Sequence, residues 1–130
     1  MNKIELACVI EDNPVNVFWM ETIMDDINFC DELLIYHDGN EAIKALKPMI
    51  ESGVKLPGII FLDLNMPIMD GWQFLDEFTL IPIKEIVTIY IVTSSIDPTD
   101  EVRASHYEKV SNFIVKPIEV DQLKEILNNF

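Results

Sequence analysis

Basic residues are scarce in this chain of 130 residues. Nine lysines and arginines stand against 23 aspartates and glutamates, so the formal net charge is −14 at pH 7. A surface this acidic repels phosphate backbones, which argues against direct binding of nucleic acid. Solubility accounts for most of these acidic residues, and only those at the ends of predicted strands need another explanation.

Cysteine, histidine and long apolar runs are also scarce. The two cysteines do not form a disulfide framework, which favours a reduced, cytoplasmic setting. Two histidines are too few and too scattered to suggest a transition-metal site. No apolar stretch approaches the ~18 residues that cross a bilayer, and the N-terminus does not resemble a signal peptide. Apolar residues still make up 49% of the chain, which predicts a single domain, residues 1–130, with a buried core.

Short apolar strands alternate with helical segments along the whole chain. Strands are predicted near residues 4–10, 33–37, 58–63, 86–93 and 112–115. Helices are predicted near residues 14–27, 40–50, 72–78, 98–109 and 120–130. This alternation predicts an α/β fold, with a parallel sheet, right-handed crossovers and helices on both faces.

The first helix has a clear start and an apolar pattern. Asn13 is a good N-cap, and Pro14 suits the first helical turn. Several residues of this helix follow helical spacing: Val15, Phe18, Trp19, Thr22 and Ile23. The fourth helix is the most polar, so we expect it to be the least firmly held.

Acidic side chains follow the ends of two buried strands. Asp63 closes the strand at residues 58–63, and Glu11-Asp12 follows the first strand. Ligands of open parallel sheets bind just outside the carboxyl ends of the strands. Unit charges ~4 Å apart interact by roughly 4 kcal/mol at an effective dielectric of 20, so these carboxylates repel one another unless a cation joins them. The pattern predicts Mg²⁺ held by Glu11, Asp12 and Asp63, with the Asn65 backbone carbonyl as another ligand.

A hydroxyl and a lysine end the next two strands. With Asp63 as nucleophile, Thr93 would donate a hydrogen bond to a phosphoryl oxygen. Lys116 would pair with Asp63 at rest and with the phosphoryl group afterwards. Taken alone, each residue has a plainer interpretation as a turn former, a strand residue or a surface charge. Their combination at one edge of the sheet favours phosphoryl transfer to a carboxylate.

From its first strand to its last helix, the sequence resembles the receiver domain of two-component response regulators. The most specific stretch is residues 63–71, Asp-Leu-Asn-Met-Pro-Ile-Met-Asp-Gly, which is similar to the family's phosphoacceptor loop. Glu11-Asp12, Thr93 and Lys116-Pro117 match other family positions, and the last of these resembles a cis peptide of the family. The resemblance implies a flavodoxin-like sheet of five strands in the order 2-1-3-4-5, with five helices on both faces.

The resemblance also implies a function. A histidine kinase or phosphotransfer protein would phosphorylate Asp63 with the help of Mg²⁺, and the domain would catalyse its own dephosphorylation without turning over small substrates. Thr93 and Phe113 would then change the face formed by helix 4, strand 5 and helix 5. Through this face the domain would control a protein partner or form a phosphorylation-dependent homodimer. Phe113 lacks a hydroxyl, so its switching would depend on packing alone. Asn65 and Ser95 occupy positions that influence access of water to the acyl phosphate.

Other interpretations remain open at this point. A phosphatase of the haloacid dehalogenase type would have a second aspartate where this chain has Asn65. A flavodoxin-like cofactor binder would need a phosphate-binding loop after the first strand, where Glu11-Asp12 would repel a phosphate. A degenerate receiver would serve only as a binding module. The chain is expected to be a stand-alone receiver, unless it is excised from a regulator with an output domain.

Overall fold

The computed structural model describes residues 4–94 and 96–130 of the chain. Within these ranges, five strands alternate with five helices: β1 (Ile4–Ile10), α1 (Pro14–Asp26), β2 (Cys30–Tyr36), α2 (Gly39–Ser52), β3 (Ile59–Asp63), α3 (Gly71–Phe78), β4 (Thr88–Thr93), α4 (Pro98–Ala104), β5 (Val110–Val115) and α5 (Val120–Asn128). All paired strands are parallel, and their order is β2-β1-β3-β4-β5. The α/β fold and the strand order expected from the sequence are therefore confirmed.

Helices cover both faces of the sheet and enclose a core on each side. Alternate residues of β3 pack in the two cores, because successive side chains of a strand point to opposite faces of the sheet. Ile60 and Leu62 pack with α2 and α3, whereas Ile59 and Phe61 pack with α1 and α5. Every residue of β3 is buried. The central strand thus carries Asp63 to the edge of the sheet from within the best-packed part of the molecule.

The buried face of α1 differs from the stripe expected from the sequence. The side chains of this helix that are buried in the core are Val17, Met20, Ile23 and Met24. Val15 and Phe18, in contrast, are 72% and 71% exposed. The N-cap is as predicted, since the Asn13 side chain accepts hydrogen bonds from two backbone amides of the first turn. The helix carries two apolar stripes, and helical spacing alone does not decide which of them faces the sheet.

Several element boundaries also differ from the predictions. β2 begins at Cys30, three residues early, and α2 extends to Ser52. β4 begins only at Thr88, because the apolar residue Ile86 is 87% exposed in the preceding loop. α4 ends at Ala104 rather than near residue 109. Beyond Ala104 the chain forms turns, in which a backbone amide donates to the carbonyl three residues earlier. It then enters β5 at Val110.

Both cysteines are free thiols. Cys8 is fully buried in the middle of β1, and burial raises the pKa of its thiol. In the part of the chain that the structure describes, no helix combines the length and apolar character needed to span a bilayer.

Candidate functional site

Four strand ends deliver the predicted site residues to one edge of the sheet. Asp63 is the last residue of β3 and Thr93 the last of β4, and both are buried. Glu11 follows β1 directly and is 2% exposed, while Lys116 follows β5. The strand register aligns these ends, because Ile10 pairs with Leu62, Asp63 with Val92 and Thr93 with Val115. The sheet therefore brings the candidate residues together as a group.

The carboxylates of Glu11, Asp12 and Asp63 form a cluster that suits a divalent cation. One oxygen atom from each residue can be chosen so that all three lie within 4.8 Å of one another. Glu11 and Asp63 are buried, and Asp12 is exposed to solvent. Mg²⁺ prefers oxygen ligands and usually retains several waters, which an open side of the cluster allows. The donor chemistry and spacing of this cluster fit Mg²⁺.

Lys116 bridges the two buried carboxylates. Its Nζ lies 2.8 Å from Glu11 Oε1 and 3.3 Å from Asp63 Oδ1. The ion pair with Asp63 expected from the sequence is present, and the shorter one with Glu11 was not predicted. The backbone amide of Lys116 donates to the Thr93 carbonyl at 2.7 Å, and the peptide bond between Lys116 and Pro117 is cis. The lysine is thus held at both its backbone and its charged end.

The charges of this cluster shift the pKa values of its members. Burial and the nearby Glu11 carboxylate together raise the pKa of Asp63 to about 7, because the charge of Lys116 offsets only part of their effect. Burial tends to lower the pKa of Lys116, but its hydrogen bond to Glu11 and the charge of Asp63 leave that pKa above its usual value. Lys116 is therefore charged at neutral pH. The elevated pKa of Asp63 indicates a site that is short of positive charge.

The loop after Asp63 is packed too closely to accept a side chain at Gly71. A Cβ atom at this position would lie 2.6 Å from the backbone oxygen of Asp63 and 2.9 Å from Leu64 Cα. The amide of Gly71 also donates to the Leu64 carbonyl at 3.0 Å. Asp70 caps α3, in a reciprocal capping box with Gln73. The helix therefore begins directly against the backbone of the candidate nucleophile.

Ile68 occupies an unusual backbone conformation at the tip of this loop. Its φ angle is 68°, a region that β-branched residues rarely adopt. The Met69 amide donates to the Pro67 carbonyl at 2.7 Å, which makes a tight turn around Ile68. The Ile68 side chain is 79% exposed. The loop therefore presents an apolar side chain to solvent close to the acidic cluster.

The remaining predicted residues surround Asp63 less directly. The amide of Asn65 donates to Asp63 Oδ1 at 3.3 Å, while its role as a metal ligand through the carbonyl stays a prediction. Phe113 pairs in register with Ile91, is half-buried and packs against the core between the sheet, α2 and α3. Ser95 lies outside the described residues. Of the predicted switch pair, Thr93 is therefore at the site and Phe113 is on the adjacent strand.

The sequence did not predict two sets of aromatic contacts, one around Trp72 and one at Trp19. The Arg103 guanidinium of α4 lies 4.5 Å from the centre of the Trp72 ring, and Trp72 stacks on Tyr107 with ring centres 6.1 Å apart. The Tyr107 hydroxyl in turn donates to Asp76 Oδ1.

The second contact joins α1 to the segment after β5. The Trp19 indole Nε1–H donates to the Ile118 carbonyl at 2.7 Å. A tryptophan about two helical turns beyond a predicted metal-binding pair is the sequence signal that could have suggested this second contact.

Comparison with known proteins gives a consistent result. A sequence model described as the response regulator receiver domain matches residues 7–128. A two-component response regulator from Cytophaga hutchinsonii is 28% identical, with a TM-score of 0.84 over 98% of this chain and 99% of that chain. The phosphorylated cyanobacterial phytochrome response regulator RcpA is 25% identical, with a TM-score of 0.77 over 96% of this chain and 89% of that chain.

A third similar structure contains a metal ion. The receiver domain of sensor histidine kinase PA1611 from Pseudomonas aeruginosa PAO1 has a magnesium ion coordinated in its active-site cleft. It is 20% identical, with a TM-score of 0.77 over 96% of this chain and 95% of that chain. At this identity, the similarity supports the fold alone.

Proposed function

Because the chain belongs to the family of response regulator receiver domains, we propose that Asp63 accepts a phosphoryl group from the phosphohistidine of a histidine kinase or phosphotransfer protein. The observation that carries this proposal is the position of Asp63. It is a buried carboxylate at a strand end, clustered with the acidic pair Glu11-Asp12 and within 3.3 Å of the charged amine of Lys116.

Glu11, Asp12 and Asp63 would hold Mg²⁺, with the Asn65 carbonyl as a further ligand. When bound, the ion supplies positive charge that lowers the repulsion between phosphoryl oxygens and the carboxylates. Two observations support this assignment: the clustered oxygens, and the pKa of Asp63, raised by burial and by Glu11. The magnesium in the PA1611 receiver lies in the cleft of a similar fold.

The chemical step is a displacement at phosphorus. An oxygen of the Asp63 carboxylate forms a bond to phosphorus as the bond from phosphorus to the histidine nitrogen breaks, and the imidazole leaves with that electron pair. Lys116, 3.3 Å from Asp63, would pair with a phosphoryl oxygen, and the Thr93 hydroxyl would donate a hydrogen bond to another. The residues at the strand ends thus serve mainly to position and to neutralise charge.

The phosphorylated state would be temporary. Water attacks the phosphorus of the acyl phosphate, and the bond between phosphorus and the Asp63 oxygen breaks. Inorganic phosphate departs, and the Asp63 carboxylate is restored. The same residues assist this step, so the domain would catalyse its own dephosphorylation rather than turn over small substrates. Asn65 is exposed beside Asp63, where it would influence how water reaches the phosphorus.

The exposed face of α1 would receive the phosphoryl donor. Val15 and Phe18 are 72% and 71% exposed, and the helix begins immediately after Asp12 and its neighbour Asn13. Large apolar side chains exposed beside a reactive site suit contact with another protein. A donor bound there would bring its phosphohistidine to the edge of the sheet.

The response would be read on a different face. The acyl phosphate at Asp63 would carry about two negative charges in place of the single charge of the carboxylate, and its oxygens would draw Thr93 towards them. Phe113 lies opposite Ile91, two residues before Thr93 on β4, so a shift of this strand end would change the space available to its ring. The face of α4, β5 and α5 exposes Val102 and Val115, to which a protein partner or a second copy would bind.

A direct test uses a small phosphodonor. The protein is incubated with acetyl phosphate and Mg²⁺, and its intact mass is measured. We expect a gain of one phosphoryl group that is labile to base, absent in Asp63→Asn and abolished by chelation of Mg²⁺. Asp70→Asn is the matched control, because Asp70 lies in the same loop and caps α3. Absence of an adduct together with absence of Mg²⁺ binding would overturn the proposal, and continuous release of phosphate from phosphomonoesters would indicate a phosphatase.

A further inference from the structure

Trp19 fastens α1 to the segment that carries Lys116. Its indole Nε1–H donates to the Ile118 carbonyl at 2.7 Å, and the two residues are 99 positions apart in the sequence. The indole also lines a narrow cleft behind the lysine together with Glu11 and Met20. Trp19 as a whole residue is 43% exposed, although its indole N–H is hydrogen-bonded.

The segment around Lys116 is held on both sides of that residue. On its N-terminal side, the backbone amide of Lys116 donates to the Thr93 carbonyl at 2.7 Å. After it, Ile118 is 1% exposed in the core beneath α1 and α5, and its carbonyl accepts from Trp19. A lysine side chain has many conformations, so the position of its backbone decides which carboxylates its amine can reach together. Trp19 therefore adds a second attachment point to the one that Thr93 provides.

We propose that Trp19 is a positioning residue for Lys116 in the phosphoryl transfer. Its hydrogen bond fixes the chain two residues beyond the lysine, so that the amine stays between Glu11 and Asp63. This inference rests on the proposed function, because Lys116 must act on the phosphoryl group for its position to matter. Small displacements of a positioned group are costly to catalysis.

The first experiment examines the contact in the metal-free protein. Trp19 is replaced by 3-benzothienylalanine, in which sulfur takes the place of the indole N–H and the shape is kept. We expect the ¹⁵N signal of the Lys116 amine to shift in this variant. Thr22→Val is the matched control, because Thr22 also donates to a backbone carbonyl from α1, but to Phe18 within the same helix. An unchanged Lys116 signal in the benzothienyl variant would overturn the inference.

The second experiment separates positioning from general stability. Loss of the Trp19 N–H should slow phosphorylation of Asp63 by acetyl phosphate about tenfold at saturating Mg²⁺, with little change in the Mg²⁺ dissociation constant. In a Lys116→Ala background the same replacement should have no further effect. An equal loss of rate in both backgrounds would show that Trp19 acts through stability alone.

The two proposals fail in different ways. If the unmodified protein accepts no phosphoryl group, the proposed function is wrong and the role of Trp19 is lost with it. If the unmodified protein is phosphorylated and the benzothienyl variant reacts at the same rate, only the role of Trp19 is wrong.

Discussion

Asp63 binds a proton more readily than an aspartate in water, because burial and the neighbouring Glu11 carboxylate raise its pKa to about 7. The unfolded chain loses this proton near the ordinary aspartate pKa of about 3.9. Between these values the folded state holds a proton that the unfolded state has released. The contribution of Asp63 to the free energy of unfolding therefore falls as pH rises from about 4 to about 7.

Asp63→Asn should consequently stabilise the metal-free protein, and the gain should depend on pH. Near pH 8 we expect a gain on the order of 2 kcal/mol, because the variant removes a buried charge. Near pH 5 the folded wild-type carboxyl group is neutral, but the unfolded chain has already released most of this proton, so the gain should be less than half as large. Urea unfolding of both proteins at the two pH values measures this difference. A gain of the same size at both would contradict the role assigned to the Asp63 charge.

At the scale of single residues, the sequence predicted the members of the site better than their contacts. The positions of Asp63, Thr93 and Lys116 follow from strands that end at one edge of the sheet. The ion pair between Lys116 and Glu11 did not follow, because strand order does not determine which of several carboxylates a flexible amine approaches. The contact of Trp19 with Ile118 depends on the packing of α1 over distant parts of the chain.

Among the helices, α3 and α4 are joined mainly through one aromatic cluster. α3 begins against the backbone of Asp63, and its second residue is Trp72. Trp72 contacts Arg103 from α4 and Tyr107 from the loop that follows. The buried side chain that α4 itself contributes is the small Ala104. Much of the attachment of α4 therefore depends on Trp72, which lies close to the site.

Arg103→Ala should loosen α4 without changing the rest of the fold. A cation–π contact at an exposed site contributes about 0.5–1 kcal/mol, which corresponds to a two- to fivefold increase in local opening. Hydrogen exchange measured by mass spectrometry should show this increase in residues 98–107. Lys124→Ala in α5 provides a matched control, since it removes an exposed basic side chain from another helix. Equal exchange of α4 in the wild type and in Arg103→Ala would exclude this role for the contact.

At the scale of secondary-structure elements, the sequence predicted the alternation but not every boundary or face. Buried strands such as β3 were found because their apolar runs are unbroken. Of the residues with helical spacing in α1, Ile23 is buried, whereas Val15 and Phe18 form a second apolar stripe that tertiary packing leaves in solvent. β4 begins two residues later than predicted, because the apolar run starts at Ile86 whereas strand pairing starts at Thr88. Local pattern does not report which residues have a neighbouring strand.

Over the whole molecule, the excess of acidic residues means that the carboxylate cluster lowers the free energy of unfolding when no cation is bound. The formal net charge is −14, and Glu11, Asp12 and Asp63 concentrate part of it at one edge of the sheet. A ligand that binds only the folded state stabilises it in proportion to the logarithm of its concentration over its dissociation constant. Mg²⁺ should therefore act on the stability of the entire domain.

Mg²⁺ at one hundred times its dissociation constant should raise the free energy of unfolding by about 2.7 kcal/mol. Thermal unfolding with Mg²⁺, and with NaCl of equal ionic strength, separates specific binding from general screening. Asp12→Asn should lose most of the specific gain, because Asp12 is a predicted ligand exposed to solvent. Asp70→Asn should retain it. A gain from NaCl equal to that from Mg²⁺ would count against the predicted ion site.

The hydrogen bond between Trp19 and Ile118 has a consequence for the order in which the protein matures on the ribosome. Its partners are 99 positions apart, and Lys116 lies beside the later one. During synthesis, Glu11-Asp12 and β3 leave the ribosome well before Lys116 and Ile118 do. If Asp63 accepts a phosphoryl group with the help of Lys116, as proposed, an unfinished chain would lack the complete site. Phosphorylation would then begin only once synthesis has passed the fifth strand.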